Sequence, residues 1–190
     1  MASLAYPDRP LADDSVVLRP WVESDVRCVE DEKRCDVDEA RLWISRQWRR
    51  QSEGAGVCLA IADAATDEAL GCIGLLFRTR AGTVPVAASG GPDAAGLIFE
   101  LDPGAAGIGY WVLERARGRG RASRAVTLLT DWALTEAGLA RVEALVEPEN
   151  VASQRVLERA GFVREGCLSS YLIVIGGRVD TFLYARLATS

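Results

Sequence analysis

The stretch "RARGRGRASRA", residues 115–125, sets five arginines within ten positions: Arg115, Arg117, Arg119, Arg121 and Arg124. Gly118, Gly120 and Ala122 stand between them, directly ahead of "SRAVTLLTDWALTEAG" (123–138). There Ala125, Leu128, Leu129, Trp132, Ala133 and Glu136 trace one face of a helix, and Gly138 stops it. Upstream, "GIGYWVL" (107–113) reads as a strand. The order is strand, small-residue loop, helix. Such a loop can cradle a phosphate: the first amides of a helix lack partners within it and carry its positive dipole end, and small side chains let an anion approach them. The arginines at alternate positions add charge at the rim. A Walker-type loop requires GxxxxGK[ST], and no lysine is near. A dinucleotide fingerprint requires a third glycine where Ser123 stands. A solvated surface explains any single arginine, but not the small residues ahead of an amphipathic helix.

The chain of 190 residues suits a single domain with a full core. Its net charge is −5, and without residues 115–124 the remainder carries −10. That balance, with no aromatics interleaved among the arginines, argues against a nucleic-acid partner. There is no histidine, so a His-based triad or base is excluded. Cys28, Cys35, Cys58, Cys72 and Cys167 form no CxxC pair, which argues against a metal site and fits reduced thiols in a cytosol. No signal-like segment and no run of about 20 apolar residues is present, so the expectation is a soluble cytoplasmic protein with no membrane partner.

Working outward, "SVVLRPW" (15–21) predicts a first strand, and "ESDVRCVEDEKR" a polar helix with Ser24 as a candidate cap. Asp36 or Asp38 caps a second helix whose Ala40, Trp43, Ile44, Gln47 and Trp48 share a face. "VCLAIAD" (57–63) and "LGCIGLLFR" (70–78) predict an antiparallel hairpin. Residues 79–96 read as a Gly- and Pro-rich loop inserted between strands, followed by "LIFELD" (97–102). After the central helix come an alternating strand, "ARVEALVEP" (140–148), and a short helix, "NVASQRVLERAG" (150–161), capped by Asn150. A closing hairpin around "GGR" ends the pattern. The fold class expected is α/β on one sheet, a single domain over residues 1–190.

"RGRGRA" (117–122) resembles the [QR]xxGx[GA] motif of the GNAT acyl-CoA N-acyltransferases. The resemblance continues through "AGIGYWV", "VEPENVASQRVLERAGFVREG" and "GGRVDTFLYARL". The chain is similar to the RimL-like branch, whose best-known members acetylate protein N-termini. The resemblance implies a mixed, mostly antiparallel sheet splayed between the 107–113 and 140–147 strands. It implies acetyl-CoA as co-substrate, with no metal. The backbone of Arg117, Gly118, Arg119, Gly120, Arg121 and Ala122 would hold the pyrophosphate. Strand amides at Trp111, Val112 and Leu113 would bind the pantetheine arm and polarise the thioester carbonyl. Asn150 would bond the pantetheine amide, and Ser153 would stand near the thiol sulfur as acid.

Two residues depart from the family pattern. Many relatives carry a tyrosine acid seven positions after the asparagine, where this chain has Leu157. Many carry a glutamate where it has Gly107. Base function then falls to Glu100, Asp102, Glu165 or a water chain, or the substrate amine arrives neutral; Tyr171 and Asp180 are further candidates. The acceptor expected is an amine: a peptide N-terminus or a small molecule. The acids at 30–39 would suit a cationic acceptor, although a solvated charged face is the commoner use of such a run. A homodimer follows from the resemblance alone. The competing reading is a non-catalytic acyl-CoA-binding sensor on the same fold.

Overall fold

A computed structural model describes residues 6–54, 56–77, 84–85, 96–97, 104–174 and 177–189. The elements in chain order are β1 (Leu11–Ala12), β2 (Val16–Arg19), α1 (Val26–Lys33), α2 (Val37–Ser52), β3 (Gly56–Asp63) and β4 (Ala69–Phe77). Then come β5 (Val84–Pro85), β6 (Gly96–Leu97), β7 (Ala105–Val112), α3 (Arg121–Thr135), β8 (Arg141–Val146), α4 (Val151–Arg159), β9 (Val163–Val174) and β10 (Gly177–Leu187).

Among the described residues, eight strands form one sheet in the order β1-β2-β3-β4-β7-β8-β10-β9, and β5 pairs with β6. Every neighbouring pair in the large sheet is antiparallel except β7 and β8. The expected α/β class and mixed sheet are therefore observed. Central β3 is buried along almost its whole length because helices and strands cover it, whereas β8 alternates between buried and half-buried positions. The expected hairpins over 57–78 and around residues 177–178 are both antiparallel pairs. Most of the 79–96 insertion and of "LIFELD" lies outside the described residues.

Local chemistry sets the helix ends. Asp36, not Asp38, caps α2: its Oδ1 accepts from the amides of Asp38 at 3.0 Å and Glu39 at 2.9 Å. Ser24 caps nothing, because residues 23–25 form a 3-10 turn that precedes α1. Asn150 caps α4, accepting from Ser153 N. Along α2 the predicted face is inward at Ala40, Ile44 and Gln47, while Trp48 is 45% exposed and donates its ring N–H to the Trp21 carbonyl.

The helices cover both faces. α1 and α2 lie against β4 and β3, and α3 and α4 pack together against β2, β7 and β8. Successive β7 side chains point to opposite faces. Trp111 accordingly meets Trp21 and Trp43 on the α1–α2 side, and Tyr110 meets Ser153 of α4 on the other. The core between these layers includes Trp21, Ile61, Ile73, Leu129 and Leu157, each at most 2% exposed.

Candidate functional site

The parallel ladder between β7 and β8 is short. It pairs Ala105 with Arg141, Ala106 with Val142 and Gly107 with Glu143, and there it ends. β7 continues to Val112 and β8 to Val146, so the sheet is open between them. The direction of each β7 amide follows from one bond. Leu113 N–H donates to the Leu70 carbonyl at 2.8 Å, on the β4 side. Main-chain groups alternate sides along a strand, so Trp111 also addresses β4, and Tyr110 and Val112 address the gap. Of the three strand positions expected to offer amides, Val112 alone aims one into the opening. Trp111 and Leu113 address β4 because a strand directs its main-chain groups to one side only at every second residue. Tyr110 is the position that the sequence reading omitted. The Val112 carbonyl, on the gap side, accepts from Arg117 Nε at 2.9 Å.

At the open end of β7 the chain turns through residues 114–120 into α3. Gly118 and Gly120 have φ of 75° and 76°, a region that costs other residues strain. Among the described residues, a Cβ built at either would meet nothing within 4 Å, which leaves this backbone open. Gly120 is itself the residue before α3, and among the described residues no side chain caps the first turn. The amides that begin α3 are left without a side-chain acceptor.

The arginines are not equivalent. Arg115 pairs with Asp31 at 2.7 Å and Glu68 at 2.8 Å. Arg121 pairs with Asp63 at 2.5 Å, and Arg124 with Asp13 and Asp14. Arg117 is spent on the Val112 carbonyl, and its charge acts on Glu32, whose carboxyl burial pushes up. Among the described residues the Arg119 side chain forms no ion pair or hydrogen bond. The rim charge expected from five arginines is thus largely balanced by acids from distant parts of the chain.

α4 enters from the far side of the gap. Asn150 Oδ1 accepts from Ser153 N at 3.0 Å, which orients the first helical turn. Ser153 Oγ lies 2.7 Å from Tyr110 Oη, and the Tyr110 hydroxyl is also 3.3 Å from the Ser153 carbonyl. Burial pushes the Tyr110 phenol up to about 12 against the Ser153 hydrogen bond, which lowers it. Leu157 is fully buried, and a Cβ at Gly107 would meet nothing within 4 Å.

The remaining base candidates are scattered. Glu100 and Asp102 lie outside the described residues. Glu165 binds Arg141, with Nη1 to Oε1 at 3.0 Å, toward the end where β7 and β8 are still paired; Arg141 holds its carboxyl below the usual range. Asp180 Oδ1 accepts from Ser170 N at 2.8 Å, fixing the positive φ of Ser170 in the β9–β10 irregularity. Tyr171, beside Ser170 on β9, is half-buried and lies on the arm of the hairpin that extends past the end of β8.

Opposite Tyr110, the α1–α2 face carries an aromatic cluster. Trp21 meets Trp43 edge-on at 5.1 Å, and Trp111 is 6.2 Å from Trp21 and 6.3 Å from Trp43. The Lys33 ammonium lies 5.2 Å from the Trp43 ring centre. In the acidic run, Asp31 holds Arg115 and Asp36 caps α2, so part of that run serves structure. Trp43 was legible as a helix-face residue, but its meeting with Trp21 and Trp111 depends on tertiary packing.

The family model described as "Acetyltransferase (GNAT) domain" matches residues 9–163. A curated relative from Bacillus licheniformis, "Uncharacterized N-acetyltransferase p20", is 29% identical over 178 residues, covering 93% of this chain and 88% of its own. The Escherichia coli "Ribosomal-protein-serine acetyltransferase" is 34% identical over 83 residues, 44% of this chain and 46% of its own. Among solved structures, Mycobacterium smegmatis RimJ in complex with CoA-disulfide has a TM-score of 0.73 at 25% identity, over 95% of this chain and 86% of its own.

Proposed function

The chain belongs to the GNAT acetyltransferase family, and on that premise we propose that it carries the acetyl group of acetyl-CoA to a primary amine through the gap between β7 and β8. The observation that supports this most is the ladder that stops at Gly107 and Glu143, placing a passage through the sheet between an open-backboned loop and a pair of hydroxyls. The pyrophosphate would rest on the amides of residues 117–122, with Arg119 the cation left for it. The pantetheine arm would enter the gap and meet Val112 N–H. The acceptor would arrive from the face of Trp43 and Trp111.

The amine nitrogen attacks the thioester carbon, and the C–S bond breaks with its electron pair leaving on sulfur. The ammonium proton passes to solvent. A donor set at the oxyanion, with Val112 N–H foremost, and the Ser153 hydroxyl at the sulfur lower the barrier by being in place beforehand. The acceptor proposed is the α-amine of a peptide or protein, supported by the name of the Escherichia coli relative, with small amines as the second class. The buried Leu157 and the bare Gly107 favour one competing reading, an acyl-CoA sensor that does not turn over. Acetyl-CoA consumption against Ser- and Ala-initiated peptides, amino acids and a polyamine separates the two. Acetylated product is expected; binding of acetyl-CoA with no product across the panel would establish the sensor.

A further inference from the structure

We propose that Tyr110 is the positioning residue of this site: its phenol reaches across the gap from β7 and holds the Ser153 hydroxyl so that the Ser153 proton faces the departing sulfur. The inference rests on the acetyl-transfer reading and adds to it the part that position 157 lacks. Leu157 can supply no hydroxyl, and Tyr110 brings one to the same helix from a strand 43 residues away.

Both ends of the contact are held. Tyr110 sits in β7, paired with Ile73 of β4. Ser153 is tied by its own amide to Asn150. Among the described residues, the only hydrogen bonds of the Tyr110 hydroxyl are to Ser153 Oγ at 2.7 Å and the Ser153 carbonyl at 3.3 Å. Those two acceptors give the pair two states. With the phenol proton on the carbonyl, Ser153 donates to Tyr110. With the phenol proton on Ser153 Oγ, the serine proton is free to turn into the gap. Negative charge on a sulfur there selects the second state, in which a donor behind Ser153 also polarises its O–H bond.

Tyr110 loses no proton in this arrangement. Its phenol, pushed up to about 12 by burial, stays protonated while the thiolate forms. An isolated serine hydroxyl is a free rotor, and fixing it beforehand spares that ordering in the transition state.

The test needs no acceptor. CoA bound to the protein is titrated by the ultraviolet absorbance of its thiolate, in the wild type, Tyr110→Phe, Ser153→Ala and the double variant. The wild type should hold the bound thiol below that of free CoA. Tyr110→Phe, which keeps the packed ring, should raise it by roughly half a unit to one unit. Ser153→Ala should raise it at least as far, and the double variant little further. With acetyl-CoA and a Ser-initiated peptide, Tyr110→Phe should lower kcat about tenfold at unchanged KM for acetyl-CoA. A thiol titration identical to wild type in Tyr110→Phe, beside a shift in Ser153→Ala, would overturn the positioning role and leave the acetyl-transfer reading standing. Failure of the wild type to bind CoA would remove both.

Discussion

At Arg121 the side chain is 13% exposed and bound to Asp63, whereas Arg119, two positions earlier, is exposed with no side-chain partner among the described residues. The same residue type therefore has two consequences. Arg121→Ala should lower the unfolding midpoint, because it strips the Asp63 carboxylate of its charged donor. Arg119→Ala should leave the unfolding midpoint in place and weaken acetyl-CoA binding several-fold, with a shallower salt dependence. Denaturant titration and calorimetry on the two variants check this, and equal effects on both readouts would refute the division. For Ser153→Ala the expected loss is in turnover, not in acetyl-CoA affinity; a loss confined to affinity would mean that the hydroxyl serves binding.

Among the elements, α2 depends on its first turn. Asp36→Ala removes the acceptor of two amides and should destabilise the protein by about 1 kcal/mol. Asp38→Ala, two residues further on, should change little; thermal unfolding of the pair distinguishes them. The sequence left these two aspartates as alternatives because both precede the same apolar face, and only the bond geometry separates them. Longer elements were easier to read. The strand, small-residue loop and helix over 107–138 follow one another locally, and their periodicities differ. What escaped sequence reading are contacts between elements far apart in the chain. Arg124 meets Asp13 across 111 positions, and Arg115 meets Asp31 across 84, so the arginine stretch looked more basic than it is. Tyr110 was hidden for a related reason. Its meeting with Ser153 requires both the alternation of side chains along β7 and the crossing of α4 over the gap.

Across the whole molecule, the acidic excess is partly a set of partners for these arginines, and that has a pH signature. The amide of Ala65 and the Arg121 guanidinium hold the Asp63 carboxyl below its usual range, and Arg141 does the same for Glu165. A carboxylate whose folded pKa is depressed contributes stability above its unfolded value, near ~4, and loses it as pH falls through the folded value. Urea unfolding should therefore show constant stability from neutral pH to about pH 5 and a decline below about pH 4. Arg121→Ala should flatten part of that decline; an unchanged acid limb would mean that the pair is not formed in solution.

The proposed acetyl-CoA route depends on an anion resting against the backbone of residues 117–122. Calorimetry of acetyl-CoA with the wild type, Gly120→Asn and Gly120→Asp tests this most directly. Asn and Asp tolerate the left-handed conformation about equally and fill the same space, so the pair isolates charge. The prediction is that Gly120→Asp binds acetyl-CoA at least about tenfold more weakly than Gly120→Asn, because its carboxylate stands where the pyrophosphate would lie. Equal affinities for the two variants would contradict the cradle, and with it the route proposed for acetyl-CoA into the sheet.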